Sequence, residues 1–390
     1  METPLEPPPR DDSAAVEEPL HRGPAPRPPA GSASSRHVCD HKHTDARAPL
    51  LSVRDLRTWF RTDSSPRFRS NGWRRAVDGV SFDVHQGQTL GLVGESGSGK
   101  TTLARTILRL VPAREGSVHF RGVDLLHASR AQLRDLRRHV QMVFQDPLGT
   151  LNPRMTVEEI IAEPLRIHRA IHGTQLRSRV AGLLECVQLS PGHARRYPHE
   201  LSGGQRQRIG IARAIALSPR LLLCDEPVSA LDVSVQAQIL NLLVDLKATL
   251  GLTYLLISHN LAVVEHMSQQ LAVMYRGRIV ERGPTDRVFA RPAHPYTQAL
   301  LASAVLDGRR LEAAPRRSAA TMVLLPQGCP YCPLCSIATE RCASQTPESR
   351  PADAECGAHV VACHYPEEAG RLREQTTIAH PPSLIGPKDR

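Results

Sequence analysis

Residues 94–101 read Gly-Glu-Ser-Gly-Ser-Gly-Lys-Thr, which fits the spacing G-x(4)-G-K-[ST] of a phosphate-binding loop. The apolar run LGLVG precedes this loop and the helix-like run TLARTILRL follows it, so the strand-loop-helix context is present. Glycines let successive backbone N–H groups turn toward phosphate oxygens, and the start of a helix adds partial positive charge. We therefore predict a nucleotide phosphate site formed by Gly94, Glu95, Ser96, Gly97, Ser98, Gly99, Lys100, Thr101 and Thr102.

Within this loop, Lys100 is expected to reach the β- and γ-phosphates and the Thr101 hydroxyl to bind Mg²⁺. Two acidic residues, Asp225 and Glu226, directly follow the apolar run 221–224. A buried strand there would aim its terminal carboxylates at a metal and an attacking water. We expect Asp225 to hold Mg²⁺ through its coordination shell and Glu226 to act as general base.

The chain divides into segments of different composition. Residues 1–48 are rich in Pro, Ala, Ser and charge, which predicts a disordered tail. Residues 49–304 alternate strand-like and helix-like runs, which predicts an α/β core. Residues 305–375 carry Pro and Cys with little periodicity, which predicts a small module, and residues 376–390 a flexible end. The tail could bind a metal through His37, Cys39, His41 and His43, but it has no core to hold them in place.

Several runs predict individual elements. Strands are expected at residues 50–53, 80–84, 89–93, 118–120, 140–144, 221–224 and 252–257. Helices are expected in TVEEIIAEPLRIHRAI and LRSRVAGLLECVQL, which form a helical insert. Another helix should carry Ile239, Leu243, Leu246 and Leu250 on one face and end at Gly251.

Charge and hydropathy limit the classes of function. The net charge is +10, but Arg is spread along the whole chain, so we expect no nucleic-acid partner. No run approaches the roughly 20 apolar residues that cross a bilayer. The start lacks the basic flank and apolar core of a secretory signal, so the protein is expected to stay in the cytoplasm. Disulfides are rare in the cytoplasm, so the nine cysteines of the chain need another explanation.

The run Leu201-Ser202-Gly203-Gly204-Gln205 resembles the signature of the ABC ATPases, and a helix-like run follows it. Its order after the phosphate loop and before Asp225 matches that family, and the resemblance covers roughly residues 50–305. It implies an α/β P-loop NTPase fold of the ABC nucleotide-binding type. Such a domain has a RecA-like core, an antiparallel β subdomain and a helical subdomain, here about residues 150–215.

The same resemblance assigns roles to further residues. Gln145 looks like the residue that senses Mg²⁺ and the membrane subunits, and residues 229–232, ending in Asp232, look like the D-loop. His259 is similar to the histidine that contacts the γ-phosphate. Asn260 stands where relatives commonly have Asp, which puts a local hydrogen bond in doubt.

Phe60, or else Trp59, resembles the aromatic residue that stacks on adenine. In this family two subunits pair head to tail, so residues 202–205 of one subunit cap ATP on the loop of the other. The resemblance thus implies a second ABC ATPase as partner, in a heterodimer or alternatively a homodimer.

Longer stretches, including RYPHELSGGQRQRIGIARAIALSPRLLLCDEPVSALDVSVQAQ and HPYTQALLASA, resemble the dipeptide/oligopeptide importer subfamily and the second of its paired ATPases. This implies two permeases, an extracellular binding protein and a place on the cytoplasmic face of the membrane. Nickel and glutathione importers share many of these residues and remain alternatives. A soluble, non-transport ABC ATPase is a further alternative, although such proteins carry tandem halves or a long coiled-coil insert.

The C-terminal cysteines Cys329, Cys335, Cys342 and Cys363 match the spacing at which the peptide-importer ATPases hold a [4Fe–4S] cluster. Zinc, or thiols without metal, are the alternatives. Extra cysteines at 332 and 356, and Leu334 where relatives often have Arg, depart from the pattern. Cys186 and Cys224 lie in apolar runs and are expected in the core.

Overall fold

A computed structural model of the protein describes residues 48–61, 73–171, 173–229, 231–305, 327–352 and 357–367, with only the backbone at positions 147, 148, 304 and 305. Its strands are β1 Leu51–Arg61, β2 Trp73–Val84, β3 Thr89–Val93, β4 Glu115–Phe120, β5 Val123–Asp124, β6 Val140–Val143, β7 Leu221–Asp225, β8 Thr253–Ile257, β9 Gln270–Tyr275, β10 Arg278–Pro284, β11 Arg350–Pro351 and β12 Val360–Val361. Its α-helices are α1 Lys100–Ile107, α2 Arg130–His139, α3 Pro147–Thr150, α4 Val157–Ile167, α5 Gly173–Cys186, α6 Gly203–Ile215, α7 Val233–Leu250, α8 Leu261–Met267, α9 Thr285–Ala290, α10 Pro295–Val305 and α11 Glu340–Ser344.

The strands form two sheets. One sheet has the order β2-β1-β4-β5 and is antiparallel. The other has the order β11-β12-β10-β9-β3-β8-β7-β6, and its strands from β9 to β6 run parallel. The carboxyl ends of parallel strands share one edge, so the residues that follow β3, β6, β7 and β8 are brought together there.

The core lies on both faces of the parallel strands. Strands β3, β7 and β8 are buried along their whole length, as expected for parallel strands covered on two sides. Alternate residues face opposite ways: in β7, Leu221 and Leu223 pack toward α1 and the antiparallel sheet. Leu222 and Cys224 pack toward α7, α8 and the helical insert. The predicted α/β core therefore has two apolar layers separated by one sheet.

The helical insert is built from α4, α5 and α6. Thr156 and Glu159 form a capping box at the start of α4, and Ser202 and Gln205 form another at the start of α6. The apolar faces of these helices join the layer that covers β7 and β8. None of the helices within the described ranges is long and apolar enough to cross a bilayer.

The C-terminal segment is attached to the large sheet by strand pairing. Val361 pairs with Glu281, and Val360 with Arg282, so β12 extends the sheet beyond β10. The sequence predicted a small module here but no strand, because a two-residue strand has no periodicity. The main sheet and this segment therefore share hydrogen bonds along an edge.

One sequence prediction about a single side chain is wrong. Cys186 is exposed, because the apolar face of α5 carries Val180, Leu183 and Leu184 while Cys186 points away from it. Leu250 is exposed at the end of α7, where Leu242 instead joins the buried face. Gly251 ends that helix in the left-handed conformation, as predicted. The predicted tail lies outside the described residues apart from Ala48, and the predicted end over 376–390 lies wholly outside them.

Candidate functional site

The loop between β3 and α1 requires its glycines. Gly94, Gly97 and Gly99 have φ values of 152°, 80° and 110°, which L side chains rarely adopt. A β-carbon on Gly94 would overlap the Met274 carbonyl oxygen, and one on Gly99 would overlap that of Ala76. The loop can therefore curve only with this composition, and α1 begins directly after it at Lys100.

Lys100 is buried against the loop that precedes it. Its Nζ donates to the carbonyl oxygens of Gly94 and Glu95 at 2.7 and 2.9 Å. Burial lowers the pKa of Lys100, and the nearby Glu226 and Asp225 carboxylates oppose that shift. The ammonium group is thus held at the centre of the loop by backbone oxygens.

The next residue, Thr101, contacts the end of β7. Its hydroxyl donates to Asp225 Oδ1 at 3.0 Å. Burial raises the pKa of Asp225, and the hydrogen bond from Thr101 partly offsets this effect. A hydroxyl and a carboxylate at this separation form the hard oxygen donor set that Mg²⁺ prefers. The residues present therefore fit a magnesium ion.

Glu226 stands between two partners from neighbouring strands. Gln145, which follows β6, donates from Nε2 to Glu226 Oε2 at 2.8 Å. His259, which follows β8, places Nδ1 3.2 Å from Glu226 Oε1. Glu226 itself has φ +46°, an uncommon conformation that is fixed by its N–H donating to the Ile257 carbonyl. The sheet order thus brings together three of the predicted site residues.

A cleft of about 740 Å³ opens over the loop and these side chains. Its lining includes Phe60, Arg74, Ser96, Gly97, Gly99, Lys100, Thr101, Thr102, Gln145, Asp146, Glu226, Ser229 and His259. Phe60 lies at the rim with 43% of its surface exposed, free to stack on a ring. The alternative, Trp59, is covered by the guanidinium groups of Arg75 and Arg114 at 4.9 and 4.8 Å from its ring centroid. The arrangement favours Phe60.

Gly94, Glu95, Ser98 and Asp225 lie beside this cleft without lining it, and two further predicted groups lie on other elements. Ser202, Gly203, Gly204 and Gln205 begin α6, where Ser202 Oγ accepts the Gln205 N–H. Asp232 begins α7. Gly204 lies against Val235 of α7, since a β-carbon there would overlap the valine side chain. One chain does not bring these residues to its own phosphate loop.

Asn260, which departs from the family pattern, retains a capping role. Its Oδ1 accepts the N–H groups of Ala262 and Val263 at the start of α8. An asparagine supplies the same acceptor oxygen as an aspartate at this position. The doubt about this hydrogen bond is therefore removed.

Comparison with known proteins adds to this geometry. Residues 77–229 match the family described as ABC transporter, and residues 280–342 match the family described as oligopeptide/dipeptide transporter, C-terminal region. The oligopeptide transport ATP-binding protein AppF of Bacillus subtilis is 45% identical over 321 residues, which cover 81% of this chain and 97% of that protein. The chain belongs to the ABC transporter ATP-binding proteins.

Other ATP-binding proteins are also similar to this ABC ATPase. The di/tripeptide transport ATP-binding protein DppF of Pseudomonas aeruginosa is 44% identical over 82% of this chain and 98% of that protein. The glutathione import ATP-binding protein GsiA of Salmonella typhimurium is 54% identical, over 65% of this chain and 41% of that protein.

Solved structures confirm the predicted fold class, and membership of the ABC family confirms the predicted ATPase activity. The ATP-binding cassette MJ0796, solved as a dimer in a post-hydrolysis state with ADP and Pi bound, aligns with TM-score 0.54 and 26% identity. That alignment covers 60% of this chain and 99% of the solved one. CbiO1 from Clostridium perfringens, part of the ABC transporter complex CbiONQ, aligns equally well over 63% of this chain and 92% of its own. Both solved structures thus share the ABC-type fold of this chain.

The C-terminal cysteines of this ABC ATPase lie around one small cavity. Cys329, Cys332, Cys335, Cys342 and Cys363 all line it, and we name it the cysteine cavity. Burial raises the pKa of Cys329 to about 11 and that of Cys335 to about 12. Within the described residues, no group of three or more His, Cys, Asp or Glu side chains is arranged to hold a metal ion. The structure thus gives the iron–sulfur and zinc predictions no support beyond this shared cavity. The tail residues His37, Cys39, His41 and His43, like Cys356, lie outside the described residues.

Sequence reasoning missed a buried polar network between the sheet and the C-terminal segment. Glu281 of β10 is 1% exposed and lies 2.8 Å from His359 Nε2. It also accepts the backbone N–H groups of Ala293 and His294. Tyr296 follows in α10, and its hydroxyl accepts the N–H of Glu95 in the phosphate loop. The stretch HPYTQALLASA carried a family resemblance but no indication of these contacts.

Proposed function

We propose that this chain is the ATP-hydrolysing subunit of an importer that takes up dipeptides or oligopeptides. The match of residues 280–342 to the oligopeptide/dipeptide transporter C-terminal region carries this proposal. Similarity to AppF and DppF, over 97% and 98% of those two proteins, supports this proposal. Import of glutathione is the second candidate, because GsiA is 54% identical over 255 residues. Nickel import and a non-transport ATPase are weaker alternatives, for which no contact of the described residues argues.

We propose the following roles in ATP binding. Phe60 stacks on adenine, and the N–H groups of residues 94–102 surround the phosphates. Lys100 carries the charge that faces the β- and γ-phosphates. Thr101, Asp225 and Gln145 would hold Mg²⁺, which would neutralise charge on the phosphate oxygens.

We propose that Glu226 is the general base. Its carboxylate is largely buried, with 13% of the side chain exposed, and lies on the cleft beside Lys100. Gln145 donates to Oε2 and His259 Nδ1 lies 3.2 Å from Oε1, so these two neighbours hold the carboxylate at the cleft in which water would attack the γ-phosphate. Proton transfer to a positioned carboxylate of this kind accelerates a reaction by about 10²–10⁴. His259 would position that carboxylate and contact the γ-phosphate.

The partners and domain limits are also proposals. The capped start of α6 at Ser202–Gln205 and the start of α7 at Asp232 lie outside the cleft, which suits contact with ATP held by a second ABC ATPase. Two permeases and an extracellular binding protein would complete the importer, and this chain would lie at the cytoplasmic face of the membrane.

The ATPase domain would span residues 49–304, its helical subdomain about 150–215, and the C-terminal module 305–375.

A cell-based uptake experiment tests the substrate. Cells that carry the intact gene are compared with cells that carry the Glu226→Gln form, using radiolabelled dipeptide, tripeptide, glutathione and nickel. Peptide uptake should fall to background in the variant while nickel uptake stays unchanged. Loss of glutathione or nickel uptake alone would favour those alternatives. If the uptake of every substrate is the same in both kinds of cells, while the purified protein without the substitution hydrolyses ATP, the result would favour a non-transport ATPase.

We also propose the cysteine cavity as the place where a [4Fe–4S] cluster, or alternatively zinc, would be bound. Five cysteines line this cavity, and cysteine sulfur is the donor that either group uses. Cys329, Cys335, Cys342 and Cys363 would be the ligands. Metal analysis and a visible absorption spectrum of anaerobically purified protein separate the two, and a protein with neither iron nor zinc would leave free thiols.

A further inference from the structure

The phosphate loop is held by one hydroxyl from a distant part of the chain. The Glu95 N–H donates to the Tyr296 hydroxyl oxygen at 2.9 Å. These residues are 201 positions apart, and Tyr296 lies in α10, after the nucleotide motifs. The side chain does not line the cleft, so it would act on the nucleotide only through the loop.

The hydroxyl binds the same peptide unit that holds Lys100. A peptide unit is planar, so the Gly94 carbonyl and the Glu95 N–H have a fixed relative direction. That carbonyl accepts from Lys100 Nζ at 2.7 Å. When Tyr296 fixes the N–H, it therefore also fixes the carbonyl that orients the ammonium group.

Tyr296 is itself held firmly. It is 2% exposed, and its ring centroid lies 4.5 Å from that of Tyr275 and 5.5 Å from that of Tyr331. Its N–H donates to His294 Nδ1 at 3.0 Å. Burial raises the pKa of the Tyr296 hydroxyl, which therefore stays protonated at neutral pH. Tyr331 belongs to the C-terminal segment, so that segment packs against the side chain that supports the loop.

We propose that Tyr296 is a positioning residue for ATP binding: its hydroxyl fixes the Gly94–Glu95 peptide and, through it, the Lys100 ammonium. This inference rests on the proposed role of Lys100 at the phosphates. Tyr296 touches neither ATP nor the reacting atoms. Its effect should appear in the affinity for ATP more than in the rate of the chemical step.

The Tyr296→Phe variant tests this inference in the full-length protein, because it keeps the ring and removes only the hydroxyl. One net hydrogen bond corresponds to roughly a three- to tenfold change in an equilibrium constant. We expect the Kd and KM for ATP to rise by about that factor, with kcat changed less than about twofold. Hydrogen exchange at the Glu95 amide should become faster.

A matched control is Tyr254→Phe. The Tyr254 hydroxyl donates to the Leu243 carbonyl at 2.8 Å in the core and does not touch the loop. This variant also loses one buried tyrosine hydrogen bond, so it should lower the Tm without changing the KM for ATP or exchange at Glu95. An equal rise in KM for both variants would overturn the inference, because the effect would then be general destabilisation.

The Lys100→Ala variant separates the inference from the role on which it rests. If Lys100→Ala abolishes ATP binding while Tyr296→Phe leaves both the Kd and Glu95 exchange unchanged, the inference alone is overturned. If Lys100→Ala leaves ATP binding unchanged, the proposed role of Lys100 fails and the inference fails with it. Weaker binding of ATP in Lys100→Ala and Tyr296→Phe, with the control unaffected, supports both.

Discussion

Replacing Glu281 with alanine should destabilise the protein more than any surface change near it. The carboxylate accepts three hydrogen bonds: Oε1 from the Ala293 N–H and His359 Nε2, and Oε2 from the His294 N–H. We assign the hydrogen to His359 Nε2, so that this nitrogen donates to the carboxylate. The alanine variant would leave all three donors without an acceptor in a buried place.

The magnitude follows from these contacts. Each buried donor without a partner costs about 1–3 kcal/mol, so the three together give a lower limit of about 3 kcal/mol. Water that enters the space left by the Glu281 side chain would accept hydrogen bonds from some of these donors, which lowers the total cost. We therefore adopt the lower part of the range given by the three donors, about 3–5 kcal/mol. For a large domain this corresponds to a fall in Tm of roughly 6–20 °C.

Thermal unfolding of the full-length protein, followed by circular dichroism, measures this effect. Glu115→Ala is the matched control, because Glu115 pairs with Arg57 at 2.8 Å on the surface. Exposed pairs contribute less than about 1 kcal/mol. His359→Ala should have an intermediate effect, since Glu281 keeps its two backbone donors. A Tm for Glu281→Ala equal to that of Glu115→Ala would refute the reasoning.

Three further predictions concern the site and the cysteines. Glu226→Gln should lower kcat for ATP hydrolysis by about 10² or more and leave the Kd for ATP within about threefold, as measured by phosphate release and calorimetry; an equal loss of binding would contradict the base assignment. Phe60→Ala should raise the KM for ATP about two- to tenfold and Trp59→Ala should not, and the reverse would move adenine stacking to Trp59. Maleimide at neutral pH should label Cys186 in the native protein and not Cys224, whose pKa burial raises to about 12, as mass spectrometry of the labelled peptides would reveal.

The parts of the site that the sequence predicted are local in the chain. The glycine spacing in the loop from Gly94 to Gly99 predicts a short segment, and so does the apolar run before Asp225. The geometry of such short segments depends on few neighbouring residues. The parallel order of β3, β7 and β8 then places Lys100 near Glu226 without any further signal. Family resemblance supplied Gln145 and His259, and the structure places both against Glu226.

The contacts that the sequence did not predict are long-range. Tyr296 and Glu95 are 201 positions apart, and Glu281 and His359 are 78 positions apart, with no repeated pattern to relate them. Apolar content also misled the prediction for Cys186, because a helix divides an apolar run between an inner and an outer face. Only the direction of each side chain, which packing decides, separates Cys186 from Leu184.

The pairing of β12 with β10 has a consequence for how the protein is made. During synthesis β10 emerges well before residues 360–361, so its outer edge remains an open row of backbone groups in the growing chain. Glu281 meanwhile lacks the imidazole that will cover it. The ATPase core therefore completes its own edge only after the ribosome has delivered a segment that follows every nucleotide motif, and a nascent chain paused before that segment would be open to pairing with other strands.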